Sequence, residues 1–176
     1  MKHVIEARSF RVLLAGCHNF WVLKNANGHT LAELHGLAYD RINRKILPIG
    51  TTKNHSLRVF AYAHDDSYAR STGIPMGSTR MYWKSRAKVV YAGDDALERW
   101  NSALKAMPLL DGLDVDYPPF GFNILSKTVN SNSAFRTFGE IMGVPIPTFP
   151  GVLGPGCGNR MLDGDELERL CFRSRA

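Results

Sequence analysis

Cys17-His18-Asn19-Phe20-Trp21-Val22-Leu23-Lys24-Asn25-Ala26-Asn27-Gly28-His29-Thr30-Leu31-Ala32-Glu33-Leu34-His35-Gly36 is the stretch on which the fold turns. Asn19 to Leu23 is rich in aromatic, β-branched and aliphatic side chains, and it leads into Asn25-Ala26-Asn27-Gly28, which is strong hairpin-turn chemistry. The spacing predicts that Thr30 to Leu37 returns as the second arm. Side chains alternate across a strand, so His18, Phe20 and Val22 share one face of the first arm, and Leu31, Glu33 and His35 share one face of the second. The two histidines are thereby predicted to meet across the hairpin.

Outward from the hairpin, Val4 to Leu14 reads as a preceding strand, and alternation at Leu57 to Ala63 and Lys84 to Tyr91 predicts two more. A Gly- and Ser-rich loop containing Ser71-Thr72-Gly73-Ile74-Pro75 separates these two, so the sheet is expected to be antiparallel. Asp94 or Asp95 caps a helix with Leu97, Trp100, Leu104 and Met107 at helical spacing, and Pro108 is expected to stop it. Asp111 to Phe122, with Tyr117-Pro118-Pro119-Phe120, reads as a loop. Thr128-Val129-Asn130-Ser131-Asn132-Ser133 then opens a helix carrying Ala134, Phe135, Phe138, Ile141 and Met142 on its apolar side, ended by Gly143. Pro145 to Gly158 reads as a surface segment, and Asp165 to Phe172 as a short final helix. No internal repeat divides residues 1–176, which are read as one domain.

The composition agrees: 176 residues, 44% apolar and 22% charged, suit a single globular domain with a core and exclude a disordered, collagen-like or coiled-coil chain. No run approaches the length of a transmembrane segment, and Met1 to Arg8 lacks the apolar part of a signal peptide. The net charge of +6 is compatible with nucleic acid, anionic lipid or an acidic wall polymer, or with a mildly basic surface alone. Arg80, Lys84, Arg86 and Lys88 alternate with Met81, Tyr82 and Trp83 in a strip that suits either base stacking or the exposed face of a strand. Cys17, Cys157 and Cys171 show no zinc or disulfide spacing, so a reducing compartment is the default, with one bridge still open.

A hydroxyl in the first turn of a helix sits where free backbone N–H groups stabilise a developing oxyanion, and Ser131 has that place. Serine needs a base, and His18 is the candidate, oriented by His35 or Glu33. Each residue also has a plain structural reading. Asn130, Ser131 and Ser133 suit helix capping, His18 and His35 suit a half-buried sheet, Glu33 a solvated strand, and Cys17 a core thiol. Cys157 is a minor candidate nucleophile. No H-E-x-x-H, Walker, G-x-S-x-G or dinucleotide pattern occurs.

The order His18-Asn19-Phe20-Trp21, then Glu33-Leu34-His35-Gly36, then a helix, then Tyr117, and finally Asn130-Ser131-Asn132-Ser133 opening another helix resembles the circularly permuted branch of the NlpC/P60 superfamily. That branch includes the lecithin:retinol acyltransferase-like enzymes. The resemblance spans roughly residues 17 to 143. It implies an α+β fold of papain-like permuted architecture, an antiparallel sheet packed against helices. It also implies a bacterial acyl hydrolase or acyltransferase acting on an amide or ester of the cell envelope, in peptidoglycan peptide or phospholipid. By the same resemblance His18 is the base, His35 its partner, and Ser131 stands where the family has cysteine. Asn130, Ser133, Glu33 and Tyr117 are then expected to contact substrate, and no metal or cofactor is called for. Serine in place of cysteine demands a stronger base or means that catalysis is lost, in which case the chain is a silent binding module for a peptide or lipid. By analogy, the chain also looks like the cargo of a secretion machine, cytoplasmic in its producer and delivered to a competitor's envelope, with an immunity protein or delivery component as partner; nucleic acid is not the expected partner.

Overall fold

An antiparallel meander forms the centre of the structure, a computed structural model that describes residues 2–12, 16–123, 127–151 and 153–173. Strands β1 (His3–Val12), β2 (Gly16–Lys24) and β3 (Thr30–Asp40) neighbour one another in chain order. β3 also pairs with β4 (Lys45–Leu47) and β5 (His55–Ala63), and β1 with β6 (Arg86–Gly93), which completes a six-stranded antiparallel sheet. Among the described residues four helices accompany it: α1 (Asp66–Thr72), α2 (Ala96–Gly112), α3 (Ser131–Met142) and α4 (Gly164–Leu170), so the fold is α+β. No described helix is long and apolar enough to cross a membrane.

The β2–β3 turn is built by its own side chain. Gly28 takes a φ of 79°, which a residue with a Cβ adopts only with strain, and Asn25 Oδ1 accepts the amides of Asn27 and His29, both at 3.0 Å. The register sets Trp21 opposite Leu34 and Val22 opposite Glu33, so the two faces of the hairpin are distinct. One face, carrying Ile5, Ala7, Trp21, Leu23 and Leu34, is covered by Trp100 and Leu110 of α2 and by Phe135, Phe138 and Ile141 of α3. Trp21 is its anchor: the indole stacks on Phe135 at 4.3 Å between ring centres and donates from Nε1 to the Phe135 carbonyl at 2.8 Å. Truncating such a buried tryptophan costs about 3–5 kcal/mol. The other face carries a smaller cluster of Phe20, Val22 and Tyr82, and with them Glu33 and His35. Burial on both faces explains why β2 and β3 read as almost continuous apolar runs.

One gap in the sheet positions the site. β5 occupies one edge of β3 from Ala32 to Asp40, so β2 and β4 must share the other edge. β2 pairs there only as far as Leu34, and β4 only from Ala38. Residues 35–37 of β3 and the start of β2 therefore diverge, and the first turn of α3 enters the wedge between them. Asn132 replaces a strand there: its Oδ1 accepts the Asn19 amide and its Nδ2 donates to the Cys17 carbonyl, both at 3.0 Å. On the β3 side Gly36 leaves the necessary room, since a Cβ at that position would overlap Ala134 Cβ and lie 3.3 Å from Ser131 Cα.

Several elements differ from the sequence expectation. β1 ends at Val12 within the described residues, and 13–15 lie outside them. Helix α2 does not stop at Pro108 but continues to Gly112, because buried Leu110 and the bond from the Val59 amide to Asp111 Oδ1 at 2.8 Å hold the last turn on the sheet. The loop expected between β5 and β6 contains α1, capped by Asp65 and closed by Gly73 at a φ of 73°. The basic strip is not one strand face: Tyr82–Lys84 is a 3₁₀ turn with Tyr82 buried, while Arg86 and Lys88 donate to the Pro150 and Thr148 carbonyls. The surface segment, described over 145–151 and 153–158, is a strap tied to α3: Asn132 Nδ2 donates to the Pro155 carbonyl at 3.0 Å, and Ser133 Oγ to the Gly156 carbonyl at 2.9 Å.

Candidate active site

β2 supplies His18 and β3 supplies Glu33 and His35 to the face of the sheet away from α3. The three side chains form a chain: Glu33 Oε2 lies 2.6 Å from His35 Nε2, and His35 Nδ1 lies 3.0 Å from His18 Nε2. Phe20 stacks on His35 at 4.5 Å and keeps the relay in an apolar layer. Three further donors hold the carboxylate: Thr79 Oγ1 reaches Oε2 at 3.0 Å and the Thr79 amide reaches it at 3.4 Å, while His64 Nε2 hydrogen-bonds Oε1.

The charge on Glu33 sets the direction of this chain. Burial opposes ionisation, but hydrogen bonds from His35 and His64 outweigh it and hold the carboxyl down at about 2. A carboxylate only accepts, so His35 carries its proton on Nε2 and offers a lone pair at Nδ1; His18 must then donate from Nε2. Nδ1 of His18 is left as a lone pair, and among the described residues no hydrogen bond engages it. Burial also pushes His18 well below the usual imidazole value, with His35 adding to the effect and Glu33 opposing it. Burial lowers His35 in the same way against the pull of Glu33. Both rings are neutral at neutral pH.

Ser131 is the first residue of α3. Asn130 caps the helix by accepting the Asn132 amide at 2.8 Å, and its own amide donates to Ser133 Oγ at 3.2 Å, a reciprocal capping box. Tyr117 Oη lies 3.5 Å from Ser131 Oγ. Burial raises the phenol, and contacts with the Ser131 side chain and backbone only partly offset this, so the hydroxyl is a donor at neutral pH. A cavity of about 260 Å³ brings these elements together. Its polar wall is His18, Tyr117, Asn130, Ser131 and Asn132, and its apolar wall includes Val12, Ile49, Phe120, Phe122 and Leu153.

The start of α3 thus lies beside the hairpin, with Ser131, His18, Tyr117 and Asn130 on one cavity. No hydrogen bond joins Ser131 to His18; the serine hydroxyl's polar neighbour is Tyr117. Glu33 and Ser133, which the resemblance implies contact substrate, are inner residues. Both are 0% exposed and neither lines the cavity, because alternation turns Glu33 into the inner layer and capping consumes the Ser133 hydroxyl. Asn130 lines the cavity, but its amide group is committed to the Gly121 and Pro155 carbonyls. Cys157 is a poor nucleophile, since burial and the neighbouring Cys17 push its thiol up to about 11.

His64, Thr79 and Asn132 were not singled out by sequence reasoning. His64 and Thr79 come from the segments flanking α1, and nothing in local periodicity ties a loop to a strand carboxylate. Asn132 did carry a signal, as a second amide inside a helix that one cap already serves. Among the described residues, no group of three or more His, Cys, Asp or Glu is arranged to hold a metal ion. No protein-family model, curated protein or solved structure matches the chain.

Proposed function

We propose that the protein is a serine-dependent acyl hydrolase or acyltransferase of permuted NlpC/P60, papain-like architecture, acting on an ester or amide of an apolar acyl group in the cell envelope. The observation that carries the reading is the Glu33–His35–His18 relay, whose unoccupied imidazole nitrogen belongs to a residue on the same cavity as Ser131. In this reading His18 Nδ1 takes the Ser131 proton as Oγ attacks the acyl carbonyl, and the imidazolium that forms is stabilised through His35 by the buried carboxylate. The Ser131 amide at the helix start and Tyr117 Oη supply donors for the tetrahedral oxyanion. The leaving group departs with the His18 proton, and water or a second acceptor releases the acyl group by the reverse steps. Proton transfer requires Ser131 Oγ to exchange its long contact with Tyr117 for one with His18 as substrate enters. The apolar wall of Val12, Ile49, Phe120, Phe122 and Leu153 favours a lipid acyl chain over a charged wall peptide.

The test is labelling with a fluorophosphonate followed by intact mass and peptide mapping. The expected adduct is on Ser131; it is lost in Ser131→Ala, which retains its fold, and slowed by orders of magnitude in His18→Ala. Expressed with export to a bacterial periplasm, the wild-type protein and not Ser131→Ala should arrest growth, as the reading as an antibacterial effector requires. The missing Ser131–His18 hydrogen bond favours a second reading, a catalytically silent module that holds an acyl chain. Unlabelled Ser131, together with saturable binding of a fluorescent fatty acid, would support it.

A further inference from the structure

Behind the candidate active site, on the face of β2 opposite His18, lies a second cavity of about 190 Å³, and two thiols share it. Cys17 comes from the first residues of β2 and Cys157 from the strap. Asn19 Nδ2 donates to Cys157 Sγ at 3.3 Å. Gly154 shows how close the sulfurs are, because a Cβ built on it would stand 2.6 Å from Cys157 Sγ and 3.5 Å from Cys17 Sγ. The two sulfurs are therefore no further apart than those two lengths together. Both cysteines are free. Gly151, Gly154, Gly156 and Gly158 let the strap make the small shift that bond formation needs.

We infer that Cys17 and Cys157 are a reversible disulfide site that fastens the strap to β2. The oxidant is a low-molecular-weight disulfide, R–S–S–R. The Cys157 thiolate attacks one sulfur, forming a mixed disulfide and releasing the first R–SH; the Cys17 thiolate then attacks the Cys157 sulfur and releases the second. The protein loses two hydrogens, and two electrons pass to R–S–S–R. Both thiols are pushed upward by burial, Cys157 to about 11, so the reaction is slow at neutral pH and accelerates as pH rises. The bond has a structural consequence because the strap forms part of the first cavity. Leu153 and Pro155 line it, the Leu153 carbonyl accepts the Cys17 amide at 2.9 Å, and Cys17 itself faces both cavities. Closing the bond locks that wall against the start of α3.

The full chain is incubated with oxidised glutathione at pH 7 and pH 9, then examined by intact mass and non-reducing peptide mapping. The expected product is lighter by two hydrogens, forms faster at pH 9, carries a Cys17–Cys157 cross-linked peptide, leaves Cys171 free and reverts with dithiothreitol. Its thermal midpoint should rise by on the order of 10 °C. Stable glutathione adducts on Cys17 or Cys157 without a cross-link, or a cross-link through Cys171, would overturn the inference. Cys171→Ser is expected to form the same bridge and Cys157→Ser none; a bridge persisting in Cys157→Ser also overturns it. Mapping the bridge is independent of any reaction at Ser131, so it stands or falls separately from the proposed activity.

Discussion

Glu33→Gln tests the relay with a single-atom change. The Glu33 carboxyl is lowered from an ordinary 4.5 to about 2, which at 1.36 kcal/mol per unit is roughly 3 kcal/mol favouring the ionised over the neutral form. Glutamine imitates the neutral form and brings two N–H donors to a place where His35, His64 and Thr79 all donate. The cheapest relief is for His35 to move its proton to Nδ1. His18 Nε2 then has to accept, and the His18 proton moves to Nδ1, the nitrogen that the proposed chemistry needs bare. Two consequences are expected. Stability should fall by about 2–4 kcal/mol in urea denaturation, since a buried hydrogen-bonded ion is left mismatched. Fluorophosphonate labelling of Ser131 should fall by about three to four orders of magnitude, the scale of a reversed tautomer in a hydrolase triad. Long-range ¹H–¹⁵N spectra of the imidazoles read the tautomers directly. A wild-type His18 protonated on Nδ1, or a Glu33→Gln protein that labels at the wild-type rate, would refute the reasoning.

Gly36→Ala should cost about 1–3 kcal/mol by overpacking and depress Ser131 labelling, because the added methyl drives against the first turn of α3; circular dichroism melts and labelling rates check it. Asn132→Leu should destabilise by about 2–4 kcal/mol, since the Asn19 amide and the Cys17 carbonyl lose their partner inside the wedge; denaturant midpoints measure it. Acid should weaken the fold in two stages. The unfolded chain binds protons at His18 and His35 near 6.5 while the native rings resist them, so stability is intact above that pH and is lost as pH falls below it. Glu33 adds a further loss as pH falls from 4.5 toward 2. Thermal midpoints from pH 8 to pH 2 should decline accordingly, and His18→Gln should flatten the first stage.

The hairpin was legible because its turn and its alternation say the same thing. Asn25 and Gly28 can hardly do anything else, and a period of two sorts His18 from Cys17 and His35 from Leu34 without further information. The start of α3 was legible for a similar reason, since Asn130 and Ser133 satisfy backbone groups that every helix exposes. Tertiary choices were not legible. Pro108 stays helical because Leu110 and Asp111 are held by the sheet, a force absent from the local sequence. Glu33 looked like a solvated strand residue because the donors that bury it, His64 and Thr79, come from another part of the chain. The wedge between β2 and β3 was invisible altogether: a missing strand pairing leaves no compositional mark, and only Gly36 hints at a close neighbour.

The wedge also bears on how the protein comes into being. Asn132 bonds Asn19 across 113 positions of chain, so no short fragment, and no chain still emerging from the ribosome, can assemble the pocket early. Loop closure over such a distance comes late in folding. Until the penultimate described helix is threaded into the sheet, the serine and the imidazole belong to unconnected pieces, and a half-folded molecule has no cavity for them to share.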